Sequence, residues 1–93
     1  MSTAPHISLI MPCYNEEESI PYSVPRLIRA FQREGYRLQL ITVDNGSRDR
    51  TWDLIQQYAA EHPEITPVQV KTNIGFGNGI LQGIPAAVAP WVG

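Results

Sequence analysis

A single cysteine, Cys13, stands in the 93 residues, so no internal disulfide can form. That excludes a disulfide-stapled small scaffold and makes a reducing compartment the expectation. No apolar run approaches the ~18 residues of a membrane-spanning helix. The first dozen residues carry no basic n-region, which predicts a chain without a secretory leader and a cytoplasmic setting. An excess of basic charge is also missing. Seven Lys and Arg stand against nine Asp and Glu, a net charge of −2, which gives no bulk attraction for nucleic acid. His6 and His62 are isolated, and no Cys/His cluster has metal-ligand spacing. Repeats, low-complexity tracts and linkers are absent as well, so one domain with one modest core is expected.

What remains is a succession of apolar runs and amphipathic stretches. Ile7 to Met11 is an apolar run centred on Leu9 and Ile10, broken only by Ser8, and is read as a parallel strand covered on both faces, with Pro12 expected to close it. Val24, Leu27, Ile28 and Phe31 recur at helical spacing. Because Pro25 is tolerated best in a first turn, this predicts a helix from about Ser23, with Ser19 to Tyr22 as a separate turn and Gly35 as its C′ residue. Leu38 to Val43 reads as a second strand. Asn45-Gly46 suggests a hairpin, but no alternating strand follows. The stripe Thr51, Leu54, Ile55, Tyr58 and Ala59 predicts a second helix instead, with Ser47 or Asp49 as N-cap. A third strand is expected over Thr66 to Lys71, then a Gly-rich turn from Asn73 to Gly79. A short helix on Ile80, Leu81, Ile84 and Val88 follows, bent or ended near Pro85, and residues 89–93 look like a fourth strand just beginning.

Strands alternating with helices predict an α/β fold, a three-layer Rossmann-like parallel sheet. In such sheets ligands sit beyond the carboxyl ends of the strands, which singles out three segments: Pro12 to Glu16, Val43 to Ser47 and Thr72 to Gly79. Asp44 follows an apolar strand, where a carboxylate can accept from a nucleobase or ribose, or can satisfy N–H groups of its own turn. Tyr14 and Glu16 offer a ring and a carboxylate to a nucleoside, or merely an entry to a helix. The segment 73–79 offers backbone N–H groups to a diphosphate, yet Ile80 breaks a G-x-G-x-x-G pattern and no Gly-Lys-Ser/Thr is present. Arg26, Arg29 and Arg33 share one helix face, a solvated surface or a contact for anionic lipid.

Each segment is ambiguous alone. Together, Pro12-Cys13-Tyr14-Asn15-Glu16-Glu17, then Val43-Asp44-Asn45-Gly46-Ser47-Arg48-Asp49-Arg50-Thr51, then Asn73-Ile74-Gly75-Phe76-Gly77 resemble family 2 glycosyltransferases of GT-A fold, which include dolichyl- and polyprenyl-phosphate sugar transferases. The resemblance runs from about Ile7 to Gly93. It implies that Pro12, Tyr14 and Glu16 contact base and ribose, that Val43 lines the base pocket, and that Asp44 accepts from the base. Asn73 and Gly77 would flank the nucleotide. Asn45 departs from the resemblance, since many members have a second Asp there.

A larger departure is that no Asp-x-Asp occurs in the sequence. In the family that motif holds Mg²⁺ or Mn²⁺ on the donor diphosphate, so no metal is expected on these 93 residues. They are read as the nucleotide-sugar-binding half of a GT-A domain, without catalytic residues of their own. The complete enzyme would move sugar from a UDP- or GDP-sugar to an acceptor such as a polyprenyl phosphate or glycan, at the cytoplasmic face of a membrane. The alternative is a non-catalytic nucleotide-binding or assembly module. Self-association is expected through the Ile7 to Met11 strand, taken as an open sheet edge.

Overall fold

The computed structural model describes residues 4–93. Its elements run β1 (Ile7–Cys13), α1 (Ile20–Arg33), β2 (Leu38–Asn45), α2 (Thr51–Glu61), β3 (Ile65–Val70), α3 (Phe76–Gly83), a 3₁₀ turn (Ile84–Ala86) and β4 (Trp91–Val92). The strands form one parallel sheet in the order β3-β2-β1-β4. The chain therefore adds strands on one side of β1 and then crosses to the other. Right-handed crossovers in opposite directions place α1 and α2 on one face and α3 on the other. A reversal of that kind opens a crevice at the carboxyl ends of the strands.

Alternation along the strands assigns each residue to a face. Ile7, Leu9, Met11 and Cys13 join Leu38, Leu40 and Ile65 under Ile20, Val24 and Ile28 of α1 and Ile55 of α2. Each fully buried Ile or Leu here contributes about 1.5–3 kcal/mol. The opposite face is thinner. α3 reaches it through glycine: a Cβ on Gly83 would lie 2.7 Å from Ile10 Cγ2 and 3.1 Å from Val43 Cγ2.

Several boundaries differ from the sequence expectation, each for a physical reason. Pro12 does not close β1. Ser8 C=O and Ile10 N–H bond Gly93 on the outer side of the strand. Pro12, two residues further on, also faces that edge, where its missing donor leaves no ladder bond unmade. α1 starts at Ile20 rather than near Ser23, and Pro25 sits inside it. An interior proline costs ~3 kcal/mol. Burial of Ile20, Val24 and Ile28 along a single stripe offsets that cost, together with the Glu16 carbonyl accepting from the N–H groups of Ser19 and Ile20. α1 ends as expected, with Gly35 at φ +79°. Gly35 N–H donates to Gln32 C=O and Tyr36 N–H to Phe31 C=O, the paired bonds of a Schellman motif.

The N-cap of α2 is Arg50, with no side-chain cap bond; Asp49, one residue earlier, takes the Thr51 N–H instead. β3 is displaced by one residue from the expected span. α3 begins at Phe76, inside the stretch expected to be a turn. Close packing of Gly79 and Gly83 against the sheet outweighs the low helix propensity of glycine, ~1 kcal/mol per residue relative to Ala. The helix ends before Pro85.

β1 is not an open edge over its full length. β4 pairs Trp91 with Ile7 and Val92 with Ser8, and the Gly93 bonds extend the cover to Ile10. The free edge is the outer side of β4 and the end of β1. A buried polar network seats the segment leading to β4. Gln39 accepts from Ser8 Oγ and from Val88 N–H, and its amide donates to Thr66 Oγ1 (3.0 Å) and Ala86 C=O (2.9 Å). Ala89 N–H donates to Ser8 Oγ.

Candidate functional site

The carboxyl ends of β1, β2 and β3 carry three loops, residues 14–19, 46–50 and 71–75, which the middle loop joins. Toward the first loop, Ser47 Oγ accepts from Asn15 N–H at 3.0 Å, Thr51 Oγ1 from Glu16 N–H at 2.8 Å and Asp49 Oδ2 from Glu17 N–H at 3.2 Å. Asn15 Oδ1 accepts in return from Arg48 N–H at 2.9 Å. These bonds hold Asn15 at φ +51°, the only non-glycine residue with positive φ among those described. Toward the third loop, Asn45 Nδ2 donates to Gly75 C=O at 3.1 Å and to Asn73 Oδ1 at 3.4 Å. Asn73 Oδ1 also accepts from Gly75 N–H at 2.8 Å. Gly46, at φ +72°, passes so close to Asn73 that a Cβ would lie 2.6 Å from its backbone nitrogen.

The expected site residues divide into a solvent-facing rim and a buried floor. Tyr14, Glu16, Asn73 and Gly77 are exposed. Glu16 is pinned at its N–H by Thr51, at its C=O by the start of α1, and at its carboxylate by the Ser19 hydroxyl. Asp44 is only 2% exposed, on the α1/α2 face beside its register partner Cys13, and its Oδ1 accepts from Ser47 N–H at 3.1 Å. Val43 is fully buried against Gly83 of α3 and offers the crevice no side-chain surface. The Pro12 ring lies on the α3 face, close to Gly79. Loop 1 borders a concavity of about 490 Å³ lined by Asn15, Glu16, Glu17, Glu18, Ser19 and Asp49. A larger one, about 610 Å³, lies at the opposite end of the sheet around Leu38, Gln39 and Thr66.

Electrostatics separates the polar groups by role. Burial, then the negative charges of Glu16 and Asp44, push the Cys13 thiol up to about 12, so it is no thiolate nucleophile at neutral pH. Partial desolvation acts to raise the Asp49 carboxyl. Bonds from the Thr51 hydroxyl and from the N–H groups of Thr51 and Glu17 outweigh it and hold the group below its ordinary value. Among the described residues no group of three or more His, Cys, Asp and Glu converges as a metal would require. The described residues therefore do not fit the Mg²⁺ or Mn²⁺ that the resemblance implies.

Residues 8–93 match the sequence profile described as glycosyl transferase family 2. The chain belongs to that family. This glycosyltransferase chain is 38% identical over 85 residues to the undecaprenyl-phosphate 4-deoxy-4-formamido-L-arabinose transferase of Pectobacterium atrosepticum, covering 89% of itself and 26% of that protein. It is 32% identical over 82 residues to the bactoprenol glucosyl transferase of Shigella phage SfV, covering 87% and 26%. It thus spans about a quarter of the length of the curated relatives it matches. Its fold is similar to that of the mannosyltransferase PcManGT from Pyrobaculum calidifontis, solved in complex with GDP-Man and Mn²⁺. The TM-score is 0.76 at 24% identity, with 90% of this chain and 25% of the other covered. The architecture is accordingly the N-terminal part of a GT-A fold.

The sequence reading of this family 2 chain missed the joinery. Ser47 and Thr51 stand in the sequence as helix signals, and Asn45 as a turn signal and a departure from the resemblance, not as ties between loops. The signal was present in Ser47-x-Asp49-x-Thr51, where side-chain acceptors recur at every second residue.

Proposed function

We propose that the three joined loops form the nucleoside half of a nucleotide-sugar site. In this reading the complete glycosyltransferase moves a sugar from a UDP- or GDP-sugar to a polyprenyl phosphate. Tyr14 and Glu16 would meet base and ribose from the first loop. Asp44 would accept from the base through the oxygen that Ser47 leaves unoccupied, with Pro12 as floor and Val43 only packed beneath it. Asn73 and Gly77 would flank the nucleotide from the third loop. The observation that carries the reading is the cross-bonding of all three loops at the carboxyl end of the sheet, in a chain of this family. The names of the two relatives support the lipid-phosphate acceptor, and with it work at the cytoplasmic face of a membrane. None of the described helices is long and apolar enough to cross a bilayer.

The domain assignment follows from the same reading: residues 1–93 act as the nucleotide-sugar-binding half, and Mg²⁺ or Mn²⁺ serves the complete enzyme through groups that this chain does not supply. A second reading, a nucleotide-binding module without catalysis, is favoured by the absence of a convergent acid cluster among the described residues. Calorimetric titration of the folded chain with UDP and GDP, with and without Mn²⁺, tests the shared part of both. Metal-independent binding lost in Asp44→Ala supports the nucleoside site; no binding by well-folded protein overturns it. Sugar transfer or donor hydrolysis by the 93 residues would overturn the non-catalytic reading.

A further inference from the structure

We propose that Ser47, Asp49 and Thr51 are positioning residues, a side-chain comb that fixes the first loop and so sets the pose of Tyr14 and Glu16. The inference rests on the nucleoside-site reading for its functional consequence, but its physical content stands on the hydrogen bonds alone. Three consecutive backbone N–H groups, those of Asn15, Glu16 and Glu17, have no partner within their own loop. Each is taken by a side chain of the second loop or of Thr51, the first residue of α2, at 3.0, 2.8 and 3.2 Å. Residues 48–50 bend into the first turn of α2, and that curl is what brings Ser47, Asp49 and Thr51 to three successive donors.

The teeth of the comb are themselves fixed. Thr51 is fully buried, and its hydroxyl accepts from Glu16 while donating to Asp49 Oδ1. Asp49 Oδ1 also accepts from Thr51 N–H at 2.9 Å, so the carboxylate cannot rotate away from Glu17 without losing two bonds. The return bond from Arg48 N–H to Asn15 Oδ1 locks the residue with positive φ. A loop held only by its helix would leave Tyr14 and Glu16 to be ordered by a ligand, at a cost in affinity. Held by the comb, their backbone is ordered beforehand.

The test compares Thr51→Val, Thr51→Ser and Ser47→Ala in the 93-residue protein. Amide hydrogen exchange is read at residues 15–17, and UDP and GDP titration is read in parallel. Thr51→Val should speed exchange at Glu16 at least tenfold and weaken nucleotide binding about tenfold, because the Glu16 N–H loses its acceptor and Asp49 loses the hydroxyl that fixes it. Thr51→Ser keeps the hydroxyl and should restore both, which a role in bulk stability alone would not predict. Ser47→Ala, at a partly exposed position, should speed exchange at Asn15 and covers the case in which Thr51→Val does not fold. Unchanged exchange at residues 15–17 overturns the comb. Altered exchange with undiminished nucleotide affinity overturns its role in binding. If the parent protein binds neither nucleotide, the nucleoside-site reading fails, and the comb is decided by the exchange arm alone.

Discussion

Gly46→Ala should be among the most damaging single-methyl additions in this protein, and Gly35→Ala measures why. Both glycines have positive φ, +72° and +79°. In each, an alanine bears the left-handed penalty, about 1–2 kcal/mol. Around Gly35 nothing lies within 4 Å of the added Cβ, so that penalty is the whole native-state effect. At Gly46 the Cβ would stand 2.6 Å from Asn73 N and 3.1 Å from Thr72 C. Both are backbone atoms and cannot swing aside as a side-chain end would, so the third loop has to move. Overpacking of this sort adds about 1–3 kcal/mol. Gly46→Ala should therefore lose about 2–5 kcal/mol, a large share of the roughly 5–14 kcal/mol expected of a domain this size. Urea denaturation read by circular dichroism provides both values, and the difference between the variants isolates the contact. Equal losses would refute the reasoning, because the second and third loops would then not be in contact at Gly46.

Asn45→Asp should lose about 1–3 kcal/mol or more, since the new carboxylate would be buried against two acceptors, Gly75 C=O and Asn73 Oδ1; stability equal to the parent's would refute this. The Asp49 carboxyl is held below its ordinary value, 3.8, in the folded chain, so its contribution is full above that pH and is lost as pH falls below it. Asp49→Asn should flatten the acid limb of a stability–pH curve, and an unchanged limb counts against the bonds from Thr51 and Glu17. Cys13 should resist alkylation at pH 8 until the protein is unfolded. Because its ordinary value of 9.0 rises to about 12 on folding, stability should fall between those values and fall less in Cys13→Ala. Trp91 of the edge strand β4 is 73% exposed, so we expect self-association that Trp91→Arg reduces. A clean monomer in sedimentation at high concentration would contradict that expectation.

The first two strand–helix units were legible because each pairs a mostly apolar strand with a helical stripe that is buried on it, as Leu38–Val43 and Val24–Ile28 show. The misplaced boundaries share one cause: local preference was overridden by a neighbour that the sequence does not identify. Pro12 was read as a terminator because its strand's outer side was unknown. Pro25 was read as a first-turn residue because the burial of Ile20 could not be weighed against it. The glycines of α3 were read as a turn, although Gly79 and Gly83 are where the helix meets the sheet. At the candidate site, motif order pointed to three loops that the fold brings to one end of the sheet, while the alternation of β2 puts Val43 and Asp44 on opposite faces. A linear motif presents those two residues as one contact surface. Only the direction in which the fourth strand is added decides which helix covers each.

The groups that hold the site together are not the groups it presents. Tyr14, Glu16 and Gly77 face solvent, whereas Thr51 and Asn45 are 0% and 3% exposed. Mutating a rim residue should therefore change what is bound more than whether the loops form, and mutating a floor residue the reverse. The support is also unequal. The first loop has three of its backbone donors fixed by the second, and a fourth bond returns from Asn15. The third loop is tied to the second through the Asn45 amide and the close pass at Gly46. On the proposed reading a nucleotide would meet a first loop already in place, while the third loop has fewer bonds to lose in adjusting to it. Any backbone change on binding should accordingly concentrate in residues 72–75, with residues 14–17 moving least.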